Sequence, residues 1–276
     1  MRFNFYIVVF LLLSNLALAQ KSDDNEDPYE TRNYFMVGGN YLSDNVYLGR
    51  KDSNAISYVS PYMGYHFKNG LFAKALASWI PGKKRFDLFT LEAGYEHNFG
   101  EHINVGAEVD KYFYNKNSTS VRSNSTGGLS LYGQYSNDWV EPQLNIDLNA
   151  NKKSMDYVTG LGLDHNFSMV DNTLNITPTI VMNLGTQNYY DEYFNSKLGK
   201  ADKTYKTRKV VSDANKFKPL DYEFSVKATY RVTKWLFTLT PTYALPVNPA
   251  TVVLPKRTVQ EKLTNSFYLE LDICHR

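Results

Sequence analysis

Residues 85–114 read RFDLFTLEAGYEHNFGEHINVGAEVDKYFY, and taken in steps of two they sort onto two faces. Phe89, Leu91, Ala93, Tyr95 and Phe99 fall on one face of a first strand, and Ile103, Val105, Ala107, Val109 and Phe113 on the same face of a second. The other face holds Thr90, Glu92, Gly94, Glu96 and Asn98, answered by Asn104, Gly106, Glu108 and Asp110. Alternation over roughly ten residues is the period of a strand with one apolar side. The second face is charged and glycine-rich along its whole length. The same device recurs along most of the chain, with few helices to cover it. An uncovered apolar face belongs outside, against hydrocarbon, with the polar face inside. The pattern predicts an all-β fold, a transmembrane antiparallel up-and-down β-barrel.

Composition is consistent with that reading. Of 276 residues, 43% are hydrophobic, and the formal net charge is +2. Beyond the first twenty residues no stretch offers the ~18 consecutive apolar residues of a membrane helix. A barrel strand needs only every second residue to be apolar. The 22 tyrosines and 16 phenylalanines suit aromatic girdles at two membrane interfaces. A near-neutral charge balance gives no sign of a nucleic-acid partner. Cys274 has no second cysteine to pair with, so no disulfide framework is expected.

Arg2, the apolar run Phe3 to Leu16 and Ala17-Leu18-Ala19 have the form of an export signal over 1–19. No cysteine follows the apolar run, as a lipoprotein anchor would require. Residues 20–33, acidic and polar, are expected to be a flexible periplasmic lead-in, and 34–276 to form the barrel.

About twelve strands are predicted: 34–42, 56–67, 71–80, the two of the opening hairpin, 127–136, 139–149, 156–168, 174–185, 219–232, 235–246 and 263–274. In 220–232 the apolar side is Leu220, Tyr222, Phe224, Val226, Ala228, Tyr230 and Val232. The links between strands alternate in length. Lys68-Asn69-Gly70, Gly100-Glu101-His102, Asn137-Asp138, Asp171-Asn172 and Thr233-Lys234 are tight turns. Residues 43–55, 81–85, 115–126, 150–155, 186–218 and 247–262 are longer. That alternation is the habit of barrels with short periplasmic turns and larger external loops, and it places both termini in the periplasm. Trp79 and Trp235 fall in the apolar register at opposite strand ends, as interfacial tryptophans do. Trp139, taken as the start of a strand, falls out of register.

The inward register collects the candidate lumen-lining residues. The acids are Glu92, Glu96, Glu108, Asp110, Glu141, Asp147, Asp164, Glu223, Glu270 and Asp272; the bases are chiefly Lys74, Lys227 and Arg231. A three-residue turn at 100–102 sets Glu92 opposite Asp110 with Glu108 diagonal to it. Like charges facing each other are destabilising. Pairing across 81–85 can bring Lys74 beside Glu92, giving a row Lys74–Glu92–Asp110. The bland alternative to a cation-favouring pore is a salt-bridged interior that holds the barrel shut. The long link 186–218 opens with tyrosines and turns basic. Tyr189, Tyr190, Tyr193, Lys203 and Arg208 are candidate extracellular loop residues, its first part expected to prolong two strands above the membrane with tyrosines at the rim.

No catalytic constellation is read. His97 and His165 fall in the lipid-facing register and His102 in a turn, none beside a serine or carboxylate in the arrangement hydrolysis needs. Metal-ligand spacing is absent, and no cofactor is expected.

The export signal, the hairpin series and the terminal strand Phe267-Tyr268-Leu269-Glu270-Leu271-Asp272-Ile273 together resemble the bacterial outer-membrane β-barrel superfamily, porin-like proteins in particular. The resemblance covers nearly all of the mature length. It implies a Gram-negative outer membrane, contact with outer-membrane lipid and insertion by the barrel assembly machinery, and it implies location and fold far more than activity. Such chains usually end in an aromatic residue that the machinery reads, whereas this one runs on to Cys274-His275-Arg276. Two functions stay open: a porin-like channel for passive or weakly selective diffusion of small solutes, and a closed anchoring barrel whose external loops bind a ligand or partner. A soluble lipocalin-like barrel is a distant third architecture, since it would turn the apolar face inward.

Overall fold

Strands that are apolar on their outer face still need partners for their backbone N–H and C=O groups, and in hydrocarbon only closure leaves no edge unpaired. A computed structural model, describing residues 32–51, 55–137, 139–201, 210–254 and 257–276, has that closure. The predicted signal, residues 20–31 of the lead-in, Lys203 and Arg208 lie outside the described residues.

The wall consists of β1 (Tyr34–Leu42), β2 (Tyr58–His66), β3 (Leu71–Ile80), β4 (Arg85–Phe99), β5 (Ile103–Tyr114), β6 (Ser125–Tyr135), β7 (Glu141–Asn151), β8 (Met155–Asp164), β9 (Phe167–Met169), β10 (Leu174–Gly185), β11 (Lys218–Val232), β12 (Trp235–Pro246) and β15 (Ser266–His275). Apart from β8 and β9, which both lie along β10, each lies antiparallel beside its neighbour in this series, β10 joins β11, and β15 closes the ring on β1. These thirteen segments make twelve staves, because β9 continues β8 along β10. The register runs through unshifted, with Asp164 facing Thr179 and Phe167 facing Ile176. The gap falls opposite Pro178, which has no N–H to give the ladder.

In the hairpin, Phe99 faces Ile103, Glu92 faces Asp110 and Gly94 faces Glu108, while β3 brings Lys74 opposite Glu92. Val109 is 57% exposed and Phe99 58%, whereas Thr90 is 6% exposed. Apolar side chains cover the outside, and the polar register faces the interior. This is the reverse of a soluble barrel. Near the top of the β3–β4 pair the register shifts, so that Ser78 faces Leu88 and Trp79 faces Phe86. Asp87 is the extra residue of this bulge, turned inward and 1% exposed.

Three expectations need correction. Trp139 starts no strand: it is 85% exposed in the link 136–140, where the Asn137 side-chain oxygen accepts from the backbone N of Trp139 and Val140 at 2.9 and 3.2 Å. This asparagine turn delays β7 to Glu141 and removes the register conflict. Leu220 does not face lipid. A register shift between Asn183 and Leu184 leaves it in a bulge, fully buried among loop residues. The third concerns 186–218. Residues Asn188–Ala201 form a helix, α1, rather than prolonging two strands. Tyr189, Tyr190 and Tyr193 are buried in a core rather than displayed at a rim. The link before β15 also holds a small hairpin, β13 (Thr251–Val253) with β14 (Thr258–Gln260).

Candidate functional site: the barrel interior and its loop cap

Two inward strands of opposite direction place polar side chains in lateral rows, so charges on neighbouring staves meet at hydrogen-bond distance. At mid-height the Lys74 Nζ lies 2.8 Å from a Glu92 oxygen and 5.3 Å from the centre of the Tyr62 ring. Tyr62 donates to Asp272 at 3.0 Å. Asp110, across from Glu92, accepts from the Tyr112 hydroxyl at 2.9 Å. Glu108 sits two residues along the same inward face.

Glu141 and Asp164 face each other on β7 and β8, and the Gln134 amide bridges them, donating to Glu141 at 2.9 Å and to Asp164 at 3.3 Å. Asp147 faces Ser130, and Lys227 faces Thr177. Glu223 accepts from Tyr268 at 3.4 Å, and Glu270 accepts from the Asn40 amide. Arg231 lies near the tight-turn end, where its backbone N donates to the Thr173 carbonyl at 2.8 Å. At the same end the His66 Nε2 lies 2.9 Å from Glu96, which also accepts from Tyr132 at 3.4 Å. His66 stacks on Tyr34 with ring centres 5.0 Å apart. Tyr34, His66 and Glu96 line a mouth of about 480 Å³ together with Lys68 and Arg276. The His66–Glu96 pair was not read from the sequence, because β2 and β4 are not neighbours and the two side chains meet across β3.

The opposite end is covered. The described residues of the first loop (43–51 and 55–57), of 115–124, of 186–201 and 210–217, and of the last loop (247–254 and 257–265) pack on one another around Leu48, Val121, Tyr189, Tyr190, Tyr193 and Ala250, and against Val158 of β8. Four charged groups hold this cap, Asp156, Glu192 and Arg50 buried and Asp191 half-buried. Asp156, at the top of β8, accepts from the backbone N of Asn188 at 2.6 Å and of Tyr189 at 2.7 Å, and from Thr186. A carboxylate there satisfies the free N–H groups of the first turn of α1 and complements its dipole. Asp191 takes the backbone N of Val210 and Val211 at 2.6 and 2.7 Å, folding the link back against its own helix. Glu192 accepts from Ser154 at 2.6 Å, tying α1 to the β7–β8 link.

Arg50, 2% exposed, donates to the carbonyls of Leu48, Leu220, Val247 and Asn248 at 3.0 to 3.2 Å, and its Nε lies 3.5 Å from Glu261. One guanidinium thus joins the first loop, the start of β11 and the last loop, using the fork of donors that lysine lacks. Beneath the cap, Arg122 lies 4.3 Å over the Tyr47 ring and 5.0 Å over that of Tyr112, which belongs to the wall. Burial pushes the Tyr47 hydroxyl up to about 12, opposed by Arg122 and reinforced by Asp156 and Asp147.

Sequence alone did not mark these cap residues. Asp191, Glu192 and Arg50 are isolated charges in aperiodic links and Asp156 is a single acid at a strand end, and the partners of Arg50 lie up to 198 residues away. Among the described residues no group of three or more His, Cys, Asp or Glu side chains is placed to hold a metal ion.

No family model matches the chain, and no curated protein matches it. Among solved structures, the KdgM porin is similar with a TM-score of 0.48 at 10% identity, over 87% of this chain and 98% of that one. An outer membrane channel from Pseudomonas putida F1 has a TM-score of 0.48 at 12% identity, over 92% and 98%. LpxR from Salmonella typhimurium has 0.45 at 9%, over 87% and 99%. At such identities the likeness concerns strand arrangement and says nothing of chemistry. The class itself follows from the molecule: a closed, twelve-stave, up-and-down barrel, apolar outside and charged within, with one end turned tightly and the other covered by its own loops.

Proposed function

We propose that this protein is a narrow outer-membrane channel, porin-like, through which small solutes diffuse passively with a preference for cations. The observation that carries the reading is the interior register, where acids such as Glu92, Glu108, Asp110, Glu141, Asp164 and Glu223 outnumber Lys74, Lys227 and Arg231. Acid-lined walls of low dielectric attract cations and raise their local concentration. The loop end faces outward, the tight turns and both termini face the periplasm, and residues 1–19 direct export. The terminal strand β15, with Phe267, Leu269 and Leu271 on its outer face, serves as the signal for the barrel assembly machinery.

Planar-bilayer recordings in a salt gradient test this. The expected result is a small conductance with a reversal potential on the cation side. Replacing Glu92, Glu108 and Asp110 together by the corresponding amides lowers the cation-to-anion ratio while heat-modifiable gel mobility is kept. An open channel without ion preference, unchanged by the triple replacement, overturns the acidic-pore reading. The second reading is a closed anchoring barrel whose cap binds a partner, and the buried loop core favours it. A folded, inserted protein that conducts in no variant would select that alternative.

A further inference from the structure

We propose that the outer surface at the loop end of β3–β5 is a binding site for a phosphate-bearing membrane lipid, an inference that rests on the barrel spanning a membrane. An apolar groove of about 340 Å³ opens there on the lipid-facing side, floored by Ala77 and walled by Phe86, Phe89 and Phe113. The bulge at Asp87 makes the groove. It carries Phe86 out against Trp79, ring centres 5.0 Å apart, while Phe89 faces Phe113 at 6.0 Å, so that the small Ala77 is left between aromatic walls.

Amines ring the upper end of the groove. Lys111 stands on the outward face of β5, between Val109 and Phe113, where hydrocarbon would otherwise meet an apolar residue. Its Nζ lies 5.9 Å from the Phe113 ring centre, so the side chain leans toward the loop end, as a lysine does when it reaches for the interface. Lys84 and Lys116 are exposed just above. The Asn115 amide donates to the Phe86 carbonyl at 3.0 Å, which brings the chain at Lys84 and at Lys116 up side by side. The Lys200 Nζ of α1 joins them, 3.4 Å from the Lys116 carbonyl. Asp87, which borders the groove, does not neutralise this cluster. It is turned inward, bonded to Tyr58 at 2.8 Å, Ser118 at 2.6 Å and Arg85 at 2.9 Å.

Charge and depth together select the occupant. A free anion would meet the amines but leave the groove empty, and a zwitterionic lipid would fill the groove but gain little from the amines. A lipid with a chain between Phe86 and Phe113 and a phosphate at the level of Lys84, Lys111 and Lys116 satisfies both.

Trp79, beside the groove, reports on it. In full-length protein carrying W139F and W235F, reconstituted into phosphatidylcholine vesicles, a minor fraction of brominated phosphatidic acid is compared with the same fraction of brominated phosphatidylcholine. The expected result is quenching that corresponds to roughly fivefold enrichment of the phosphatidic acid beside Trp79. K84Q, K111Q and K116Q together remove the enrichment, and A77L, which fills the groove but keeps the amines, reduces it. Equal quenching by the two lipids, or enrichment that survives both variants, overturns the site while leaving the barrel in place. Absence of quenching by either lipid overturns the membrane-spanning reading along with it.

Discussion

The Lys74 ammonium lies 2.8 Å from a Glu92 oxygen inside the barrel, and Asp110 faces Glu92 from the next strand. One cation therefore stands beside a carboxylate pair that would otherwise repel across β4 and β5. Both side chains are partly accessible to water, 29% for Lys74 and 13% for Glu92, which softens the interaction. Lys74→Met is expected to cost on the order of 2 kcal/mol after that screening, because it strands inward carboxylates without their partner. Urea unfolding from lipid vesicles measures it. A variant as stable as the parent would mean that water alone suffices to hold the two acids together.

Val109 and Glu108 are adjacent in sequence but point to opposite sides of the wall. Val109→Arg places a charge against hydrocarbon and is expected to cost ~2–4 kcal/mol if near the bilayer midplane. Glu108→Gln removes an inward charge and should be tolerated far better. Folding efficiency into vesicles compares them, and equal damage would show that inside and outside have been assigned the wrong way round.

Arg50 holds together loops that share no secondary structure. Arg50→Met removes the guanidinium from four carbonyls and from Glu261, and a loss of about 3 kcal/mol in cap stability is expected. The barrel strands should persist, since their ladders do not involve Arg50. Limited proteolysis of intact vesicles should then cut the loops in the variant and spare them in the parent. Unchanged protection of the loops in the variant would remove Arg50 from this role.

Alkaline pH should loosen the same cap. The Tyr47 hydroxyl is pushed up to about 12 from an ordinary 10.0, chiefly by burial, so the folded cap holds its proton more tightly than the unfolded loop does. Its contribution is therefore complete below pH 10 and is lost as pH rises through about 12. Tyrosinate absorbance followed together with loop proteolysis should show late-titrating tyrosine and cap opening in that one interval. Titration of every tyrosine near its ordinary value, with the loops still protected, would contradict it.

Periodicity determined the wall. Alternation is a local property with a period of two, so each strand declares its faces without knowledge of its neighbours, and tight turns such as 100–102 fix the register of a hairpin. Phe99 facing Ile103 and the lateral row Lys74–Glu92–Asp110 were both legible from that pattern. Trp139 shows the limit, since one asparagine side chain capturing two backbone N–H groups displaced a strand boundary. The cap was not legible at all. Tyr189, Tyr190 and Tyr193 read as rim aromatics, but a carboxylate from β8 starts a helix there and turns them into a core. His66 meets Glu96 across the intervening β3, and Arg50 meets Val247 because closure of the ring brings the first and last loops to the same end. The sequence by itself determined which side of each strand faces lipid, because burial against hydrocarbon is decided residue by residue. Only the tertiary structure decided how one end of the barrel is covered, because the bonds that cover it join residues that no period links.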